Sequence, residues 1–112
     1  ATLQTGFTAN YPHALNEQSK HIAYLLTETA KANHRVLEAT AEAEEAWVRT
    51  IVQLARLNEE FLASCTPGYY NNEGKPHERL LQNANYGAGA PAFFQVLEDW
   101  RAEGSLAGLD LH

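Results

Sequence analysis

The chain has no methionine, a single cysteine and few basic residues. Each shortage excludes something. With no methionine and Ala1 at the start, the expectation is a chain that has been processed, trimmed or cut from something longer. The lone Cys65 excludes an internal disulfide framework and points to a reducing cytoplasm. Only 8 lysines and arginines stand against 14 acids, for a net charge of −6. No basic patch is visible, which argues against a nucleic-acid partner. No apolar run approaches the roughly 18 residues that a membrane span needs. The opening Ala1-Thr2-Leu3-Gln4-Thr5-Gly6 has neither the basic nor the apolar region of a signal peptide.

What is present is enough for one domain. A length of 112 residues supports a single modest core and leaves no room for two. A hydrophobic content of 45% favours a folded chain over a disordered one.

The periodicity predicts a mainly α chain with three helices, at about 16–33, 41–64 and 91–103, and a long irregular loop at 66–90. For the first helix, Asn16 is the expected N-cap, because Pro12 pushes Tyr11 away from helical geometry. Ile22, Leu25, Leu26 and Ala30 form its apolar face. Glu17, Lys20, Glu28 and Lys31 form its exposed face, paired at i,i+3. Asn33-His34 should close it in a left-handed cap. Residues 35–39 read as a brief extended link or edge strand. Thr40 should cap the second helix, with Glu42, Glu44 and Glu45 in its first turns, where the helix dipole favours negative charge. Trp47, Ile51, Leu54, Leu57 or Asn58, Phe61 and Leu62 make up its stripe, which Val48 and Ala55 widen. Pro91 suits the first turn of the third helix, and Gly104 its end. The loop is rich in Pro, Gly and Asn, yet it carries Tyr69, Tyr70 and Tyr86, whose rings need a surface. Within it, Glu78-Arg79-Leu80-Leu81 could form one turn of helix.

The chemistry-bearing residues form no complete site. The five histidines show no metal-binding spacing. His21 follows Glu17 by four residues, but a helical ion pair or hydrogen bond explains that spacing better than a carboxylate–histidine site. Cys65 is expected at a helix C-terminus, where the dipole disfavours the thiolate, so an inert thiol is the better reading. Gly87-Ala88-Gly89 precedes a helix but lacks the glycine fingerprint, a preceding strand and a lysine. Trp47, Trp100, Phe93 and Phe94 read as core or interface anchors.

Several stretches together resemble the C-terminal region of Baeyer–Villiger monooxygenases, which depend on FAD and NADPH. They are 6–12 (GFTANYP), 38–47 (EATAEAEEAW), 65–74 (CTPGYYNNEG), and 86–89 (YGAG) followed by Phe93-Phe94 and Asp99-Trp100-Arg101. The third and fourth are more similar to the branch acting on bulky ketones than to the cyclohexanone branch. Ala88 departs from the pattern, standing where a third glycine is expected.

The resemblance implies that residues 1–112 are one C-terminal part of a larger α/β flavoprotein that converts ketones to esters or lactones with NADPH and O₂. Its FAD- and NADPH-binding domains are absent from this chain, as is the family's long signature motif. By that resemblance Leu3, Gln4, Phe7, Cys65, Thr66, Pro67 and Tyr69 shape the substrate pocket. The partner is then the remainder of the parent flavoprotein, and the isolated chain is expected to bind no cofactor and to self-associate. The alternative is a stand-alone helical module that pairs through Trp47, Trp100 and Phe93 and has no enzymatic activity.

Overall fold

The computed structural model describes residues 5, 6, 8–55, 64, 66–68 and 80–112. Among these the chain is mainly helical, with α1 at Tyr11–Lys31, α2 at Ala41–Leu54 and α3 at Ala90–Glu103. Strands β1 (Leu37–Ala39) and β2 (Leu109–Leu111) pair antiparallel, and a 3₁₀ turn spans Leu80–Asn83. The expected helix 41–64 is not continuous, since α2 ends at Leu54 and Ala55 is extended; residues 56–63 lie outside the described residues.

Helix α1 begins five residues earlier than its sequence suggests. Asn10 caps it, its side chain accepting from the His13 amide at 3.3 Å, and Pro12 sits in the first turn. Proline lacks an N–H that would have no partner there and its φ is already helical, so it starts the helix instead of blocking it. The other end follows expectation. Asn33 takes φ 57°, and the His34 amide returns to the Thr29 carbonyl at 3.1 Å.

The Thr40 side chain accepts from the Ala43 amide at 3.2 Å, giving α2 its cap. At the far end Ala55 leaves helical geometry, with φ −56° and ψ 129°. Helix α3 has Pro91 in its first turn and ends at Gly104 in the left-handed region.

The short segment 35–39 becomes β1, and the tail supplies its partner. Leu37 faces Leu111, Glu38 faces Asp110 and Ala39 faces Leu109. The Thr40 amide, donating to the Gly108 carbonyl at 2.9 Å, ties this ribbon to the start of α2.

Helices α1 and α3 pack together and run in the same sense. His13 meets Phe94 near their beginnings, and His21 meets Trp100 nearer their ends, at centroid distances of 4.9 and 5.2 Å. The 3₁₀ turn packs on α2, and Thr5 joins this region by accepting from the Tyr86 amide at 3.3 Å.

The described core is small. Its buried apolar residues are Ala14, Ile51, Ala84, Ala90 and Phe93. Two expectations for α1 need correction. Ile22, Leu26 and Ala30 are exposed, whereas Glu17 is buried on the side facing α3. Both expected ion pairs do form: Lys20 with Glu17 at 2.6 Å and Lys31 with Glu28 at 2.8 Å. No described helix is long and apolar enough to cross a membrane.

Candidate functional site

An open cleft of about 450 Å³ lies where the three helices and the ribbon converge. That volume falls in the range of small-molecule clefts, roughly 300–1,000 Å³. Its walls come from far-separated stretches: His21 and Leu25 of α1, Ala43 and Trp47 of α2, Phe93, Leu97 and Trp100 of α3, and Leu109 of the ribbon. The lining is mostly apolar, with Thr5, His21 and Glu44 as its polar members.

Aromatic packing shapes this wall. Trp47 stacks on Tyr86 at 5.7 Å, and Phe93 lies 6.1 Å from Trp47 and 5.9 Å from Tyr86. The Trp100 indole N–H donates to the Ala107 carbonyl at 3.0 Å, pinning the turn that leads into β2. A polar tip satisfied in this way lets the ring serve as wall.

The polar groups at the α1–α3 seam form a small network. Arg101 Nη1 lies 3.5 Å from His21 Nδ1. Burial lowers the His21 pKa below its ordinary value, and the Arg101 charge lowers it further. The ring is therefore neutral near pH 7, with Nδ1 as the acceptor for arginine. Glu17 is held ionised chiefly by its hydrogen bond from Lys20, against the opposing effect of desolvation. His13 Nε2 stands 3.6 Å from the same carboxylate.

The Glu17–His21 spacing thus builds no carboxylate–histidine dyad. Each residue has other partners, one of which, Arg101, is 80 residues away in sequence and gave no local signal. Among the described residues no group of His, Cys, Asp or Glu could hold a metal ion. The lining of the cleft is of the kind that suits apolar matter.

The two glycines before α3 serve packing at Gly87 and backbone geometry at Gly89. A Cβ on Gly87 would run into the Leu54 carbonyl, and Gly89 takes φ 93° at the helix N-cap. A loop closed against α2 in this way does not fit a dinucleotide phosphate cradle.

Trp47, Trp100 and Phe93, expected as anchors, all line the cleft. Of the expected substrate-pocket residues, Thr66 and Pro67 are exposed and do not line it. Leu3, Gln4, Phe7, Cys65 and Tyr69 lie outside the described residues.

Comparison with known proteins bears out the resemblance. Neopentalenolactone D synthase of Streptomyces avermitilis is 45% identical over 108 residues, covering 96% of this chain and 18% of its own length. A Baeyer–Villiger monooxygenase of Streptomyces coelicolor is 41% identical over 101 residues, 90% of this chain and 16% of its own length. An FAD-binding monooxygenase of Penicillium brasilianum is 35% identical over 123 aligned positions, 98% of this chain and 19% of its own length. The chain thus spans less than a fifth of the length of these relatives. No protein-family model matches it, and no solved structure matches it.

Proposed function

We propose that this chain, homologous along nearly its whole length to part of Baeyer–Villiger and FAD-binding monooxygenases, is the C-terminal portion of such an enzyme. The parent would use NADPH and O₂ to convert a ketone to an ester or lactone, in a reducing cytoplasm. This portion supplies packing surface and part of the substrate wall. The 45% identity over 96% of the chain carries the reading. The aromatic cleft supports it, since a wall of Trp47, Phe93, Leu97 and Trp100 suits a bulky apolar substrate. FAD and NADPH would be held by the remainder of the polypeptide; among the described residues, the loop before α3 is closed against α2 and offers their phosphates no cradle.

The test is to read the coding sequence around these residues and express the complete product. The expected product is a flavoprotein of several times this length, by the proportion its relatives show. It should oxidise NADPH with O₂ in the presence of a bulky ketone and release an ester or lactone. A complete product confined to these 112 residues, dimeric and colourless, would replace this reading with the self-associating module.

A further inference from the structure

We infer that the exposed apolar stripe of α1, formed by Tyr11, Leu15, Ile22 and Leu26, is the seat on which the remainder of the parent polypeptide packs. The inference rests on the reading that such a remainder exists. The four residues recur at intervals of four, seven and four, which places them on one side of the helix. They are 49%, 44%, 56% and 67% exposed. The side of α1 facing α3 is a different one, carrying Ala14, Glu17 and His21. So α1 has two faces suited to burial, and the described residues leave this one open from Tyr11 to Leu26.

The uncovered face also lacks charge, in a chain where charged residues make up 20%. Gln18, Ser19 and Ala30 flank the stripe, while Glu17, Lys20, Glu28 and Lys31 lie on other sides of the helix. The Ser19 hydroxyl donates to the Leu15 carbonyl at 2.8 Å, so this polar atom is satisfied without water. A helix in solvent gains nothing from a neutral apolar side, whereas one between two layers needs it. A second layer has an available source, since more than four-fifths of the relatives' length lies outside the region that this chain matches.

The experiment uses the complete gene product, with the photo-crosslinker p-benzoylphenylalanine placed at position 22, at position 26, or at position 20 as a charged-side control. Positions 22 and 26 should crosslink within one polypeptide to residues outside these 112, and position 20 should not. Crosslinks that join two copies would overturn the inference in favour of a second copy on the stripe, and an absence of crosslinks would overturn it outright. Should the bulky analogue prevent folding, Leu26→Gln gives a second measurement. It should lower the unfolding midpoint of the complete product by about 2 °C or more, and an unchanged midpoint would overturn the inference. Flavin absorbance of the same sample reads the monooxygenase assignment separately. A flavin-loaded product that fails to crosslink sinks only the stripe, and a flavin-free product sinks the assignment.

Discussion

The indole of Trp47 lies almost parallel to the ring of Tyr86, with centroids 5.7 Å apart and planes 4° from coplanar. At that separation parallel rings are offset, a favoured aromatic arrangement. The contact joins the middle of α2 to the segment leading into α3, and both rings meet Phe93. A double-mutant cycle of Trp47→Leu and Tyr86→Leu should show a coupling of about 0.5–1.5 kcal/mol. Chemical denaturation followed by circular dichroism measures it. Strictly additive losses would show that the two rings are mere neighbours.

Gly87 sits against the carbonyl of Leu54, the last residue of α2. Backbone on both sides of the contact leaves little room to adjust. Gly87→Ala should therefore destabilise the chain by about 1–3 kcal/mol. Ala88→Gly, at the exposed next position, is the control and should cost no more than about 1 kcal/mol. Equal midpoints for Gly87→Ala and the parent chain would remove the packing role assigned to this glycine.

Acid should weaken the α1–α3 seam in two stages. His21 has a pKa below its ordinary 6.5 in the folded chain. As pH falls past 6.5 the unfolded chain takes up that proton first, so stability present above 6.5 is lost until the folded pKa is reached. Glu17 has a pKa below its ordinary 4.5. Its contribution is present above 4.5 and is lost as pH falls through the folded value. Unfolding midpoints measured from pH 8 to pH 3 should decline through both windows. His21→Leu should flatten the upper window alone, and Glu17→Gln the lower. An upper-window slope unchanged by His21→Leu would assign that proton to another group.

These residues also mark where the sequence was legible. Local chemistry could be read directly: Thr40 as a cap, Asn33 as a left-handed terminator, Gly104 as a stop, and both i,i+3 ion pairs. Each depends on neighbours within one turn. The start of α1 is ambiguous in the sequence because Pro12 carries two opposite meanings, breaker inside a helix and favoured residue at its beginning. Only the Asn10 cap decides between them. The sides of α1 are not distinguishable by periodicity, because the stripe holding Ile22 and Leu26 and the side holding Glu17 can both be buried. The His21–Arg101 contact and the aromatic cleft join residues from opposite ends of the chain, and no spacing rule reaches that far.

The cap at Thr40 has a cost that can be measured. Its hydroxyl is the acceptor for the Ala43 amide, and the same residue donates its own amide to Gly108. Thr40→Ala removes the first bond and keeps the second, so the ribbon should hold while α2 frays. The expected loss is about 1 kcal/mol. Amide hydrogen exchange should quicken at Ala43 and leave the Thr40 position as protected as before. Faster exchange at both would mean that the hydroxyl also anchors the ribbon.

The ribbon holds one pairing that works against it. Glu38 and Asp110 stand directly opposite each other, and both are exposed. Like charges in that register repel, and opposite charges would attract by about 0.2–1 kcal/mol. His112 Nε2 lies 3.8 Å from the Glu38 carboxylate. Asp110→Lys should therefore raise the unfolding midpoint. Added salt should shrink the gain, because exposed charges are screened. A gain that survives 1 M salt unchanged would trace to strand propensity or packing at position 110 instead of to the facing carboxylates.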